Sequence, residues 1–198
     1  MVDQEISFIN STSQEIKNEA LKSIKEGMKN KQQSTVATAL QVFFNFNILP
    51  AMVSNVVTHC LNSVQTTISN VLNSKQQLKD KTQFLVQLKS MLFDLETLYL
   101  QVHHLDMVIK KKRDTLSQVE FSTVLKETGD DGFLEEFWRS LIKLFDGTLK
   151  TSTKNNQSLK DIIVSEYPQV KNMIKEFANS LSSNLSFLSM SDVSNPLQ

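Results

Sequence analysis

The chain has 198 residues and a mass of 22.5 kDa, room for one domain or a short run of stacked helices. Its 21 Lys and Arg balance 21 Asp and Glu, so no global field gathers nucleic acid, and a nucleic-acid-binding domain is argued against. With 4 Gly and 3 Pro it lacks the turns of a sheet protein and the clustered glycines of a phosphate loop, so the composition reads all-α.

Residues 3–31 place Ile6, Ile9, Ile16, Ala20, Ile24 and Met28 mostly three, four or seven apart, a narrow stripe on one helix face. Such a stripe suits pairing with one or two neighbours, and Ile9, Ile16, Ala20 and Ile24 are the predicted partner-facing residues. Residues 35–48 carry Val36, Leu40, Phe43, Phe44 and Phe46, apolar over more than half a helix circumference, and are expected inside a bundle. Pro50 can open a helix at its first turn. The next stripe then runs from Val53 through Val57, Cys60, Val64 and Ile68 to Leu72. A polar break at 73–81 precedes a long helix over 82–112, with Leu85, Leu88, Leu92, Leu95, Tyr99, Val102, Leu105 and Ile109 three or four apart. At 1.5 Å per residue it is on the order of 45 Å long.

Shorter elements follow: an amphipathic helix over 116–126, a Gly/Asp turn at 128–132, a strongly apolar helix over 133–150, a polar link at 151–157, a helix over 159–165, and a last helix opened by Pro168. The predicted architecture is an elongated stacked helical bundle of long antiparallel helices. It divides into a long-helix bundle at 1–114, a shorter-helix continuation of the same rod at 115–181, and a frayed serine-rich tail at 182–198.

The residues that could carry chemistry are poorly placed for it. His103 and His104 are adjacent, so on a helix their side chains diverge by about 100° and cannot chelate one metal; His59 and Cys60 fail alike. Cys60 sits on an apolar stripe and reads as a small hydrophobe. Asp130, Asp131, Glu135 and Glu136 read as a turn and a helix start, where acids favour the positive end of the dipole. No nucleophile elbow and no Glu-x-x-His pair occurs. Phe43, Phe44, Phe46, Phe133, Phe137, Trp138 and Phe145 are expected to be core. No catalytic residue, metal ligand or cofactor is predicted, and the protein is read as a non-enzyme.

Lys110, Lys111, Lys112 and Arg113 form the one concentrated charge run. It could face lipid, at about 1 kcal/mol per basic residue near an anionic membrane. With no net charge behind it, the run reads rather as a helix C-terminus whose cations complement the dipole. No stretch approaches the roughly 18 consecutive apolar residues of a spanning helix. The start has no signal-peptide pattern, the lone cysteine fits a reducing compartment, and three glycosylation triplets match chance, so a cytosolic location is expected.

Several blocks carry a resemblance. Thr38-Ala39-Leu40-Gln41-Val42-Phe43-Phe44-Asn45 follows a polar helix; Gln101-Val102-His103-His104-Leu105 precedes Lys111-Lys112-Arg113-Asp114; then come Phe137-Trp138, Leu159-Lys160 and Glu166-Tyr167-Pro168. In this order, over about residues 17–181, they resemble the family of subunit five of the conserved oligomeric Golgi complex. That resemblance implies an all-α rod in a multisubunit vesicle tether, and a cytosolic protein held peripherally on the Golgi membrane in intra-Golgi retrograde transport. It implies other subunits as partners, chiefly subunit seven, with golgins, Rab GTPases and SNAREs as further contacts. Family members are longer, so the chain resembles an internal segment. The alternative is a helical membrane-surface protein that grips anionic lipid through its basic run.

Overall fold

In a computed structural model the described residues are 2–72, 80–127 and 132–191, with side chains described between residues 5 and 184. Most of the break at 73–81, the turn residues Asp130 and Asp131, and the end of the tail at 192–198 lie outside them. Eight helices form among the described residues: α1 (Val2–Lys29), α2 (Gln33–Asn45), α3 (Leu49–Leu72), α4 (Lys81–Lys111), α5 (Phe121–Glu127), α6 (Phe133–Asn155), α7 (Gln157–Ser165) and α8 (Tyr167–Ser191). The protein is an all-α helical bundle.

Two of the helix ends are stopped by the backbone itself. At the end of α1, Lys31 N–H donates to Met28 O and Gln32 N–H to Gly27 O; at the end of α2, Asn47 N–H donates to Phe44 O and Ile48 N–H to Phe43 O. Lys31 and Asn47 both have φ of 56°. This is the paired-bond cap that usually takes glycine at its left-handed residue. Neither turn has glycine at its left-handed position, and Asn47 is the better tolerated of the two there.

Three expectations change. The helix predicted over 116–126 is only α5. Residues 113–120 instead form a closed loop, with an isolated antiparallel bridge between Arg113 and Glu120 and Leu116 93% exposed. The polar link at 151–157 is largely helix: Thr151 and Thr153 hydroxyls donate back to the carbonyls of Gly147 and Leu149, keeping these residues satisfied inside α6. The next helix begins at Asn156, whose side chain accepts from Leu159 N–H at 3.2 Å. Finally, the predicted frayed tail is helical to Ser191.

The chain divides into two compact units that interleave in sequence rather than follow one another, the divisions falling inside α3, α4 and α6. The first comprises residues 1–63 and 99–141. Within it α1 folds back on α2, and Gly27 lies so close to α2 that an added Cβ would stand 2.9 Å from Val36 Cγ2. Ten residues earlier on α1, Lys17 Nζ stands 4.8 Å over the ring of Phe46, ten residues later, so the two helices are antiparallel. Ile24, Leu40, Phe43, Phe121 and Phe137 are fully buried. Each contributes roughly 1.5–3 kcal/mol by leaving water. Phe44 stacks on Phe121 at 5.1 Å, and Tyr99 meets Trp138 edge-on at 5.2 Å.

The second unit comprises residues 64–98 and 142–198. Ile68, Leu72, Phe84, Met91 and Leu95 are fully buried in it. Here Lys81 pairs with Glu166 at 3.5 Å, and fifteen residues on Glu96 accepts from Ser180 Oγ at 2.5 Å and Asn184 Nδ2 at 2.7 Å. The contacts advance together along both helices, so α8 runs parallel to α4.

Candidate interaction surface

The candidate chemical groups stay apart. Cys60 is buried on α3, and desolvation pushes its thiol up to about 11, leaving it protonated and inert. His59, beside it, is exposed. On α4 His103 is half-buried and His104 buried; burial first, then Lys31 and His103, lower the pKa of His104. Glu135 and Glu136 occupy the first turn of α6, with Glu136 paired to Arg139 at 2.9 Å. Among the described residues no three His, Cys, Asp or Glu side chains come together as a metal site.

The basic run closes α4 and enters the loop. Lys110 donates to Asp106 at 2.7 Å and Arg113 to Glu120 at 2.6 Å, so both ends of the run already face carboxylates. Lys111 is exposed and Lys112 half-buried. Lipid would have to compete with these pairs. The loop itself is organised by Asp114, to which sequence reading gives no role beyond its place in a family-like block. Its Oδ2 accepts from Ser117 N–H at 2.6 Å, Ser117 Oγ at 2.7 Å and Leu116 N–H at 3.2 Å, and its Oδ1 accepts from Gln41 Nε2 of α2 at 2.6 Å. Those hydrogen bonds, those of Ser117 foremost, hold its carboxyl down at about 2. The signal was an Asp three residues before a Ser, the pattern of a side-chain-closed turn.

The predicted stripe on α1 is split. Ile24 is fully buried and packs inside the chain, whereas Ala20, only 6% exposed, still lines an open groove. Ile9 is 64% exposed and Ile16 44%, joined by Ile6 and Phe8. Periodicity identifies the face of a helix but not where along it the chain's own α2 stops covering that face. Beside Ile16 an open groove of about 470 Å³ separates α1 from α2. Its walls are Ile16, Ala20 and Ser23 on one side and Thr35, Ala39 and Val42 on the other, with Glu19 at the rim. These are small or aliphatic side chains at helical spacing, a shape that admits the ridge of another helix. Of the aromatic set, Phe43, Phe133 and Phe137 are buried; the others named above are partly covered.

Residues 1–178 match the family described as conserved oligomeric Golgi complex subunit 5, C-terminal. The chain belongs to this family. Conserved oligomeric Golgi complex subunit 5 of Arabidopsis thaliana is 24% identical over 206 residues, covering 92% of this chain and 25% of the relative. The mouse (Mus musculus) protein of the same name is 25% identical over 194 residues, covering 86% and 23%. The chain therefore spans about a quarter of the length of the curated relatives it matches. No solved structure matches it. Among the described residues no helix is long and apolar enough to cross a membrane. The blocks that carry the family resemblance lie on α2, on the last turns of α4 and into the loop after it, on α6, near the start of α7 and where α7 meets α8.

Proposed function

We propose that this chain is a non-enzymatic scaffold segment of a Golgi vesicle-tethering subunit that supports intra-Golgi retrograde transport. Its packed helices hold binding surfaces at set positions, and an apolar face left uncovered by its own fold joins a neighbouring subunit. The partners are other subunits of the conserved oligomeric Golgi complex, chiefly subunit seven, with golgins, Rab GTPases and SNAREs as further contacts. The segment works on the cytosolic side, peripheral on the Golgi membrane through its complex. The observation that supports this most is the family match over residues 1–178. The exposed run of Ile6, Ile9 and Ile16 on α1 supplies a surface that such a role needs.

The test is co-purification of the tagged chain with co-expressed complex subunits, comparing wild type with the Ile9→Lys, Ile16→Lys double variant. Retained helical circular dichroism with at least tenfold weaker capture is expected. Capture of no subunit by the wild-type chain, or undiminished capture by the variant, would refute the assignment of that face.

A further inference from the structure

The uncovered face of α1 has a second property, which rests on the proposal above and makes it more specific. From Ile6 onward the seam residues alternate three and four apart: Ile6, Ile9, Ser13, Ile16, Ala20 and Ser23, the seam closing on α2 at Gly27. This is the spacing of a coiled-coil seam, not only of a loose amphipathic stripe. The two positions flanking such a seam are occupied very differently. One flank, Lys17 and Ile24, turns to α2: Lys17 lies over Phe46 and Ile24 is fully buried. The other flank is Glu5, Thr12, Glu19 and Glu26, one residue every seven, all of them exposed or half-exposed, and Glu19 lines the groove. The facing wall of α2 offers Ser34, Thr35, Thr38, Ala39 and Val42, without a charge.

We infer that the α1–α2 groove is the seat of an amphipathic helix from another protein, whose edge beside α1 is basic. Charge complementarity carries the choice. Seam-flanking carboxylates meet the flanking residues of the facing helix and favour Lys or Arg there. The small seam residues Ala20, Ser23 and Ala39 let that helix approach closely. The same carboxylates argue against an anionic membrane, which they repel. They also argue against a second copy of this chain: antiparallel self-pairing of α1 sets the Glu flank against its own duplicate, and like charges on facing helices are destabilising.

The probes are two synthetic helical peptides with one Leu/Ile seam, one carrying Lys and the other Glu at all flanking positions. Each is titrated into the 198-residue chain by fluorescence anisotropy. The Lys peptide is expected to bind about tenfold more tightly than the Glu peptide, the gap narrowing at high salt. Glu5→Lys, Glu19→Lys and Glu26→Lys together should reverse the preference with circular dichroism and melting unchanged. Equal binding of both peptides, or a preference that survives the triple reversal, overturns the inference. So does a dimer in sedimentation equilibrium that Ile16→Lys dissolves, because the face would then belong to a second copy. Capture of co-expressed subunits that is lost with Ile9→Lys, Ile16→Lys but kept with the triple reversal sinks the charge rule alone. A wild-type chain that prefers the Lys peptide yet captures no complex subunit sinks the scaffold reading alone.

Discussion

The amide nitrogen of Gln41 reaches across 73 residues of sequence to donate to Asp114 Oδ1 at 2.6 Å. It thereby ties α2 to the loop that follows α4. The same nitrogen donates to Asn45 Oδ1 at 2.9 Å, so both its protons are used. Two of the blocks that resemble the Golgi-complex family are thus joined by one side chain. Sequence gave no hint of the link, since nothing in a helix's own period points to a distant acceptor.

Asp114→Ala should open this loop. The amides of Leu116 and Ser117 lose their acceptor, and hydrogen exchange at both is expected to accelerate markedly while α2 stays protected. Thermal melting should fall as well. The pH sign follows from the depressed carboxyl. The unfolded chain binds this proton near pH 4, the native chain near 2, so the contribution is present above about pH 4 and fades as pH drops toward 2. Asp114→Asn should flatten that acid limb; an unchanged limb would mean that other carboxylates carry it.

His104 predicts a second pH effect at milder acidity. Burial and the nearby charges of Lys31 and His103 lower its pKa in the native state. Below about pH 6.5 the unfolded histidine therefore takes a proton that the native one resists, and stability declines as pH falls through that value. Urea midpoints measured from pH 7.5 to 5 should shift downward, and His104→Phe should reduce the shift.

Along α1 the cost of truncation should jump between neighbours on one stripe. Ile24→Ala deletes a fully buried side chain and is expected to cost about 2–5 kcal/mol. Ile9→Ala, on the uncovered part, should stay within about 0.5 kcal/mol. Equal costs in denaturant titrations would mean that something in the chain covers Ile9 after all.

Two glycines should respond with opposite signs. At Gly27 a methyl group would meet Val36 Cγ2 at 2.9 Å and Val36 N at 3.2 Å, and Gly27→Ala is expected to destabilise by about 1–3 kcal/mol through overpacking. Gly147 is exposed within α6 with nothing within 4 Å of the added carbon. There Gly147→Ala should stabilise by about 1 kcal/mol, the ordinary helix preference. Calorimetric melting of the two variants checks both signs.

The long helices α1, α3 and α4 are legible because their apolar residues repeat at helical spacing over many turns, which averages out single exceptions. The short α7 is found where spacing places it, within two residues of 159–165, but two other short stretches are not. Leu116 reads as a helix residue from spacing alone, yet Asp114 and Ser117 close a turn around it, and local side-chain bonds override a two-turn pattern. At 151–157 the error ran the other way: Thr, Ser and Asn suggest a loop, but threonine hydroxyls can be absorbed by carbonyls one turn back. On the α1 stripe, spacing alone does not show that Ile24 is fully buried, because the extent of α2's cover depends on the register of the hairpin, a tertiary quantity.

That register is fastened at Asn30–Gln32 through main-chain atoms, with Lys31 the left-handed residue and its side chain exposed. The reversal of direction therefore asks very little of side-chain identity. Drift among relatives at the residues around it can be wide without unhinging the pair, provided position 31 still admits the left-handed backbone. What such drift will not forgive is bulk at Gly27, where the two rods touch.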